Sequence, residues 1–254
     1  MSQLVEDERL PANPALRLGH YLRRGDEPEQ PIQPLSADEA ALLASVAKED
    51  FPRWYPWVLC ALRTGLRLGE LLGLQWGDVD WQGHFLVVPR NIVRGVVTSA
   101  KSHRRRRVDM TPQLEAALLT WRRALRQRWL EKGRTAPSWV FPSLEGTALE
   151  ERNVRMAFAR LLANAKLRQI RIHDLRHTYA TPLLQTGAPI TYVSQQLGHR
   201  DTSITLRVYA HWLPDVSRRE VNRLDTLQPD ATPAQPEALS NDELIDVKCF
   251  EMKW

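Results

Sequence analysis

The side chains able to do chemistry crowd into one stretch, from His173 to His211. It opens His173-Asp174-Leu175-Arg176-His177, passes Leu197-Gly198-His199 and closes on Thr205-Leu206-Arg207-Val208-Tyr209-Ala210-His211. Cation-capable groups therefore flank one tyrosine within about forty residues. A tyrosine attacks as an oxygen nucleophile when a cationic setting or a nearby base eases its proton away. Arginines and histidines around it suit an anion such as a phosphodiester. The expectation is a Tyr209 nucleophile acting on DNA. Tyr209 alone does not carry it, because a lone tyrosine near a helix end is usually core.

Metal chemistry fits less well. His173 and His177 are spaced i,i+4, as two ligands on one helix face would be. Asp174 rather than glutamate follows His173, and no third ligand is evident, so zinc is not expected. Asp78-Val79-Asp80 reads as a turn, because two-metal catalysis needs further acids that do not cluster here. The two cysteines, Cys60 and Cys249, make neither a disulfide framework nor a cysteine zinc site. No metal or cofactor is expected.

Length and charge set the outer bounds. The 254 residues suit one large domain with appendages. No apolar run spans a bilayer and the N-terminus lacks a signal core, so a cytoplasmic protein is expected. The net charge is +5, but residues 226–254 carry six acids and two lysines, which leaves +9 on the remainder. A basic body suits a polyanion, and an acidic tail can mask or mimic it.

The elements that must position these groups are legible in part. Residues 1–34, rich in proline and charge, read as an arm or linker. Ser36 and Glu39 form a capping box, with Leu35 and Ala40 placed as a hydrophobic staple, for a helix running to about Ala47. A second helix is expected over Pro52–Thr64, interrupted at Gly65. Arg67 and Glu70 lie three apart and would share a helical face. Phe85–Pro89, Val93–Ala100 and Arg104–Met110 read as strands of one small antiparallel sheet. Lys101 falls at the turn between the second and third strands. In the run Arg104, Arg105, Arg106 and Arg107, alternate side chains face opposite ways, so some are expected on the DNA backbone and others along the protein surface.

Thr111-Pro112 suits N-cap and N1 of a long helix, with Leu114, Leu118, Trp121, Leu125 and Trp129 on its core face. Trp139–Pro142 reads as a short buried segment and Glu151–Ala165 as an amphipathic helix. Asp174 would cap a helix to about Gln185, ended by Gly187 and containing Pro182. His177 reads as a packing residue behind the site. Ala188–Gln196 and Thr202–Arg207 complete the helices, the last delivering Tyr209. The fold class expected is α+β, mainly helical with a small antiparallel sheet.

Taken together, Arg67, Lys101, His173-Asp174-Leu175-Arg176, Leu197-Gly198-His199 and Tyr209 resemble, in order and local context, the active site of the tyrosine recombinases, the phage integrase family. Thr64-Gly65-Leu66-Arg67-Leu68-Gly69-Glu70 looks like the family's first arginine motif, and Lys101 like its hairpin lysine. The resemblance covers about Leu35 to Asp225. It implies a catalytic domain over residues 35–225, followed by an acidic tail over 226–254. It further implies Tyr209 as nucleophile, His173 as acid/base, Lys101 as general acid to the leaving 5′-oxygen, His199 on the phosphate and Glu70 in support. Arg67 and Arg176 would bind the non-bridging oxygens as bidentate forks. The implied product is a 3′-phosphotyrosyl link, resealed without ATP. The implied partners are double-stranded DNA and further copies of the chain, a tetramer in the synaptic complex.

The chain departs from the family ahead of Leu35. A typical integrase carries a helical DNA-clamping domain there, and about 34 residues are too few for one. A catalytic-domain fragment or shortened integrase is therefore expected. Two other readings stay open: relaxation of DNA in the manner of a type IB topoisomerase, and a DNA-binding remnant without recombination activity.

Overall fold

Ser36 starts the first helix by exchanging hydrogen bonds with Glu39. Its hydroxyl accepts from the Glu39 N–H at 3.1 Å, and the Glu39 carboxylate accepts from the Ser36 N–H at 2.8 Å, satisfying two otherwise unpaired donors. The computed structural model of the chain describes residues 32–99 and 106–213. Helix α1 (Ala37–Glu49) buries Leu43 and Ala47. Leu35, just ahead of it, is buried, and its N–H donates to the Thr178 hydroxyl at 3.0 Å. The start of the domain is thus pinned to the helix that carries Arg176.

Helix α2 (Tyr55–Thr64) is the central element, buried without a break from Pro56 to Leu62. It begins three residues later than the sequence suggests. The chain first turns at Phe51, whose carbonyl accepts from the N–H groups of Trp54 and Tyr55. Gly65 ends the helix at φ 60°, a left-handed conformation that glycine adopts without strain. Helix α3 (Leu68–Leu72) follows, then a 3₁₀ turn (Trp76–Asp78). Asp78 accepts from the Gln75 N–H at 2.8 Å and pairs with Arg90 at 2.6 Å, so its carboxylate closes a turn as expected.

The strands depart from the expected single sheet. β1 (Val79–Asp80), β2 (Phe85–Val88) and β5 (Arg106–Asp109) form one antiparallel sheet in the order β1-β2-β5. β3 (Arg90–Val93) and β4 (Val96–Ser99) form a separate two-stranded ribbon. Arg94 and Gly95 both hold positive φ, 51° and 77°, as a two-residue hairpin with the twist of its strands requires. Arginine is not a usual first residue of such a turn, so the sequence does not announce it. Val93, Val96 and Val97 are exposed on the ribbon. Its base packs on α3: the Asn91 side chain and Ile92 carbonyl sit where a Cβ on Gly69 would be.

The remaining helices close the core. Thr111 caps α4 (Pro112–Glu131), whose Leu114, Leu118, Trp121, Leu125 and Trp129 are all buried. The Trp121 indole donates to the Val140 carbonyl at 2.7 Å, tying in the Trp139–Pro142 segment. Helix α5 (Glu151–Asn164) adds Val154, Phe158, Leu161 and Leu162. Then come α6 (Asp174–Gln185), α7 (Ile190–Leu197), α8 (Thr202–Tyr209) and a 3₁₀ turn (Ala210–Trp212). Asp174 is not the cap of α6 but its first residue, with His173 at the N-cap. Its carboxylate accepts from the Arg171 N–H at 2.8 Å and from the Arg171 guanidinium. A small second core gathers Ala180, Leu184, Val193, Leu197 and Tyr209. The class is α+β as expected. Among the described residues no helix is long and apolar enough to cross a membrane.

Candidate active site

Glu70 is the electrostatic anchor. Arg67 is not on a helical face, as its spacing suggested, but is the extended N-cap residue of α3. Its N–H donates to Glu70 Oε2 at 2.8 Å, and its Nη1 to Oε1 at 3.1 Å. Arg106 on β5 reaches the same carboxylate, with Nη1 2.7 Å from Oε1 and Nη2 2.6 Å from Oε2. Burial alone would raise the Glu70 pKa, but the Arg106 hydrogen bonds and charge, with Arg67 after them, hold it at about 2. Glu70 is only 5% exposed, whereas the Arg67 side chain is 43% exposed and stays within reach of a ligand.

Arg176 holds the two halves of the site together. Its Nη1 donates to the Gly65 carbonyl at 2.7 Å and its Nη2 to the Leu197 carbonyl at 2.6 Å. Gly65 lies two residues before Arg67, and Leu197 two before His199. One buried guanidinium thus ties three sequence motifs. Burial, then the Arg67 charge, bring the Arg176 pKa down to about 9, with Glu70 working in the other direction. Arg176 stays a cation at neutral pH.

Both flanking imidazoles feel this charge. His173 is shifted down by burial, then by Arg176 and Arg67, with Asp174 opposing. His199 is pushed down to about 4 by burial, then Arg176, Arg67 and Arg106. Its Nδ1 is hydrogen-bonded to the Thr205 hydroxyl at 2.7 Å, which fixes the ring from α8. Arg67, Arg176, His173 and His199 therefore share one electrostatic neighbourhood, assembled from α3, α6 and the end of α7. Its fixed cations and neutral imidazoles are donors and acceptors suited to a tetrahedral anion.

Tyr209 lies beneath the surface at 1% exposure. Its hydroxyl is 2.8 Å from His177 Nδ1, and its ring leans on Trp212 at 5.7 Å between centroids. Burial raises the phenol pKa to about 12, only partly countered by Arg176. His177 is lowered to about 4 by burial and then by His173, whose ring stands edge-on at 5.2 Å. The imidazole in contact with Tyr209 is thus His177, not His173. No local pattern distinguishes it, since the two residues are 32 positions apart.

Lys101, Arg104 and Arg105 lie outside the described residues. Arg107 is exposed, with its guanidinium 4.6 Å above the Phe85 ring. Arg106 faces the opposite way, as strand alternation requires, and its fork is engaged inside the protein. Its role on Glu70 was missed in the sequence, where it stands as one of four similar arginines. Among the described residues no group of three His, Cys, Asp or Glu side chains gathers as a metal site.

Residues 34–215 match the phage integrase family, and the chain belongs to it. It is 31% identical over 188 residues to a tyrosine recombinase XerC-like protein of Caldanaerobacter subterraneus subsp. tengcongensis, covering 66% of this chain and 47% of that one. It is 30% identical over 212 residues to the tyrosine recombinase XerC of Xanthomonas axonopodis pv. citri, covering 82% and 62%. The crystal structure of XerA recombinase is similar at a TM-score of 0.60 and 29% identity, over 78% of this chain and 66% of that one. The chain therefore spans about half to three fifths of the length of these two curated relatives.

Proposed function

We propose that this chain breaks and rejoins DNA at specific sites through a covalent phosphotyrosine at Tyr209, using residues 35–225 as its catalytic domain. The observation that carries this is Arg176. It binds the Gly65 and Leu197 carbonyls, and so brings Arg67, His173 and His199 around one point beside the helix that ends in Tyr209.

A phosphodiester is already negative and gathers more charge on its non-bridging oxygens as it is attacked. Arg67 and Arg176 bind those oxygens, and His199 donates a further hydrogen bond. The Tyr209 oxygen comes out of its buried position, gives up its proton with His173 as base, and bonds to phosphorus. The bond from phosphorus to the 5′-oxygen breaks, its electron pair stays on that oxygen, and Lys101 supplies the proton. The strand is left with a 3′-phosphotyrosyl link and a free 5′-hydroxyl. Attack by a second 5′-hydroxyl reverses the steps, so no ATP is consumed. Glu70 supports Arg67, and Arg104, Arg105 and Arg107 contribute phosphate contacts along the duplex. Further copies of the chain assemble on the DNA, four in the synaptic complex.

The test is covalent capture. A library of nicked duplexes with random sequence around the nick is incubated with the chain, and SDS-resistant adducts are recovered and sequenced. The wild-type chain is expected to enrich one family of sequences, and Tyr209→Phe to bind DNA without forming adduct. Equal adduct from both proteins would overturn the assignment of Tyr209, and none from the wild-type chain would overturn the function.

A further inference from the structure

We infer that Arg106 is a positioning residue, which saturates the Glu70 carboxylate so that Arg67 keeps most of its guanidinium free for the scissile phosphate. The inference rests on the function proposed above. Each Glu70 oxygen accepts one bond from Arg67 and one from Arg106. Oε1 takes Arg67 Nη1 at 3.1 Å and Arg106 Nη1 at 2.7 Å, while Oε2 takes the Arg67 N–H at 2.8 Å and Arg106 Nη2 at 2.6 Å. The shorter, fork-to-fork bonds belong to Arg106. Among the described residues Arg67 is tethered by a single guanidinium N–H, against the five such donors that a guanidinium carries.

Without Arg106 that balance changes. A carboxylate buried to 5% exposure would face, among the described residues, one cation only, and the stable geometry for such a pair is bidentate. Arg67 would then turn its fork onto Glu70 and away from substrate. Arg106 prevents this by occupying the carboxylate first.

A second, independent feature marks the Arg106 position as built. Its Nε donates to the Gln196 carbonyl at 3.2 Å, so the same guanidinium joins β5 to the end of α7. A Cβ on Gly198 would fall 2.6 Å from Arg106 Cδ and 2.8 Å from its Nε and Nη1. The glycine of the Leu197-Gly198-His199 motif leaves the space through which the Arg106 side chain passes. The other end of β5 is fixed by the same residue, since the Gln196 side chain accepts from the Asp109 N–H at 2.8 Å and donates to the Asp109 carboxylate at 3.1 Å. Arg106 is therefore held at both ends before DNA arrives.

The experiment compares wild type with Arg106→Lys, Arg106→Gln and the double variant Glu70→Gln/Arg106→Gln, on the nicked duplex recovered by covalent capture. Lysine keeps the charge but lacks the fork. The double variant removes both buried charges together, so it is expected to fold even if Arg106→Gln does not. Arg106→Lys and Arg106→Gln are expected to form adduct about a hundredfold more slowly, as displacement of a reacting group implies. The double variant, which has no carboxylate to divert the Arg67 fork, is expected to recover part of that rate. A substrate with sulfur in place of the bridging 5′-oxygen needs no proton on its leaving group and is expected to stay slow. Full rescue by that substrate would place the defect at the leaving group and overturn the inference.

Salt dependence separates positioning from DNA contact. Binding of a random-sequence duplex is measured against ionic strength. Arg106→Gln, or the double variant in its place, is expected to keep the wild-type slope. A slope reduced by about one would make Arg106 a phosphate contact and overturn the inference. Wild-type adduct rates in the Arg106 variants would overturn it as well, while leaving the function standing. Failure of the wild-type chain to form adduct would instead remove the function on which it rests.

Discussion

The Tyr209 hydroxyl and His177 Nδ1 are 2.8 Å apart, in a region where neither side chain is exposed by more than 7%. With the phenol raised to about 12 and the imidazole lowered to about 4, both are neutral across the physiological range. Theirs is an ordinary buried hydrogen bond between neutral groups, in a setting whose burial keeps the proposed nucleophile protonated. Removing one partner leaves the other unsatisfied, at a cost of about 1–3 kcal/mol, whereas removing both is cheaper than the sum. His177→Phe and Tyr209→Phe are expected to be individually destabilising, with a coupling of about 1 kcal/mol in the double variant. Urea unfolding of the four proteins measures it. Strictly additive effects would show that the contact contributes nothing.

Acid should weaken the fold in two stages. His177 and His199 fall from 6.5 in the unfolded chain to about 4 in the folded one. Between those values the unfolded chain binds protons that the native state refuses, so stability declines as pH drops through 6.5 toward 4. Glu70 acts below that window. Its pKa falls from 4.5 to about 2 on folding, so its contribution is complete above 4.5 and is lost as pH falls toward 2. For so buried a carboxylate that amounts to about 3 kcal/mol. Unfolding free energy against pH is expected to be flat just above neutrality and to bend downward near 6.5. His177→Gln should reduce the slope between 6.5 and 4 by up to one proton, and an unchanged slope would contradict the assignment.

The two proposed phosphate arginines should separate in stability. Arg176 is 3% exposed and spans two carbonyls that a lysine cannot satisfy together. Arg176→Lys is expected to lose about 1–3 kcal/mol of stability, for one orphaned carbonyl. It should also lose about a hundredfold to a thousandfold in adduct rate. Arg67, 43% exposed and tied among the described residues only to Glu70, should cost the fold little when changed to lysine, yet lose rate by a similar factor. Thermal melting with single-turnover capture distinguishes them. Equal destabilisation by both changes would deny Arg176 its bridging role.

What the sequence disclosed follows the range of the interactions. Ser36 with Glu39, and Thr111 with Pro112, are local signals, and both helix starts appear where they were read. The core face of α4 follows from periodicity alone. The Arg94-Gly95 hairpin was not legible, because its conformation depends on strand twist rather than on residue type at the first turn position. Arg67 shares a box with Glu70 rather than a helical face, since spacing of three fits both arrangements. The role of Arg106 was misjudged, and the partner of His177 was not legible, for a different reason. Their partners, Glu70 and Tyr209, lie 36 and 32 residues away, and only the packed chain brings them into contact. The integrase motifs pointed to Arg67 and Tyr209, but said nothing of what keeps Arg67 open or Tyr209 covered.

Gly65 tests whether the backbone itself is part of the site. It holds φ 60°, and a Cβ there would lie 2.6 Å from Tyr179 Cδ1 and 3.0 Å from Leu197 Cδ2. Its carbonyl accepts from Arg176. Gly65→Ala therefore combines left-handed strain with a clash against Tyr179 of α6, the helix that carries Arg176, and Leu197 of α7, whose carbonyl is its other anchor. The cost is expected at about 1–3 kcal/mol. If the clash is relieved by moving residue 65, the carbonyl moves with it, and Arg176 loses one of its two anchors. Adduct formation should then fall further than stability explains, with DNA affinity little changed. A variant at Tyr179, such as Tyr179→Leu in the Gly65→Ala background, shortens the obstructing side chain and should recover part of the rate. Recovery of stability without recovery of rate would show that the Gly65 carbonyl does not position Arg176.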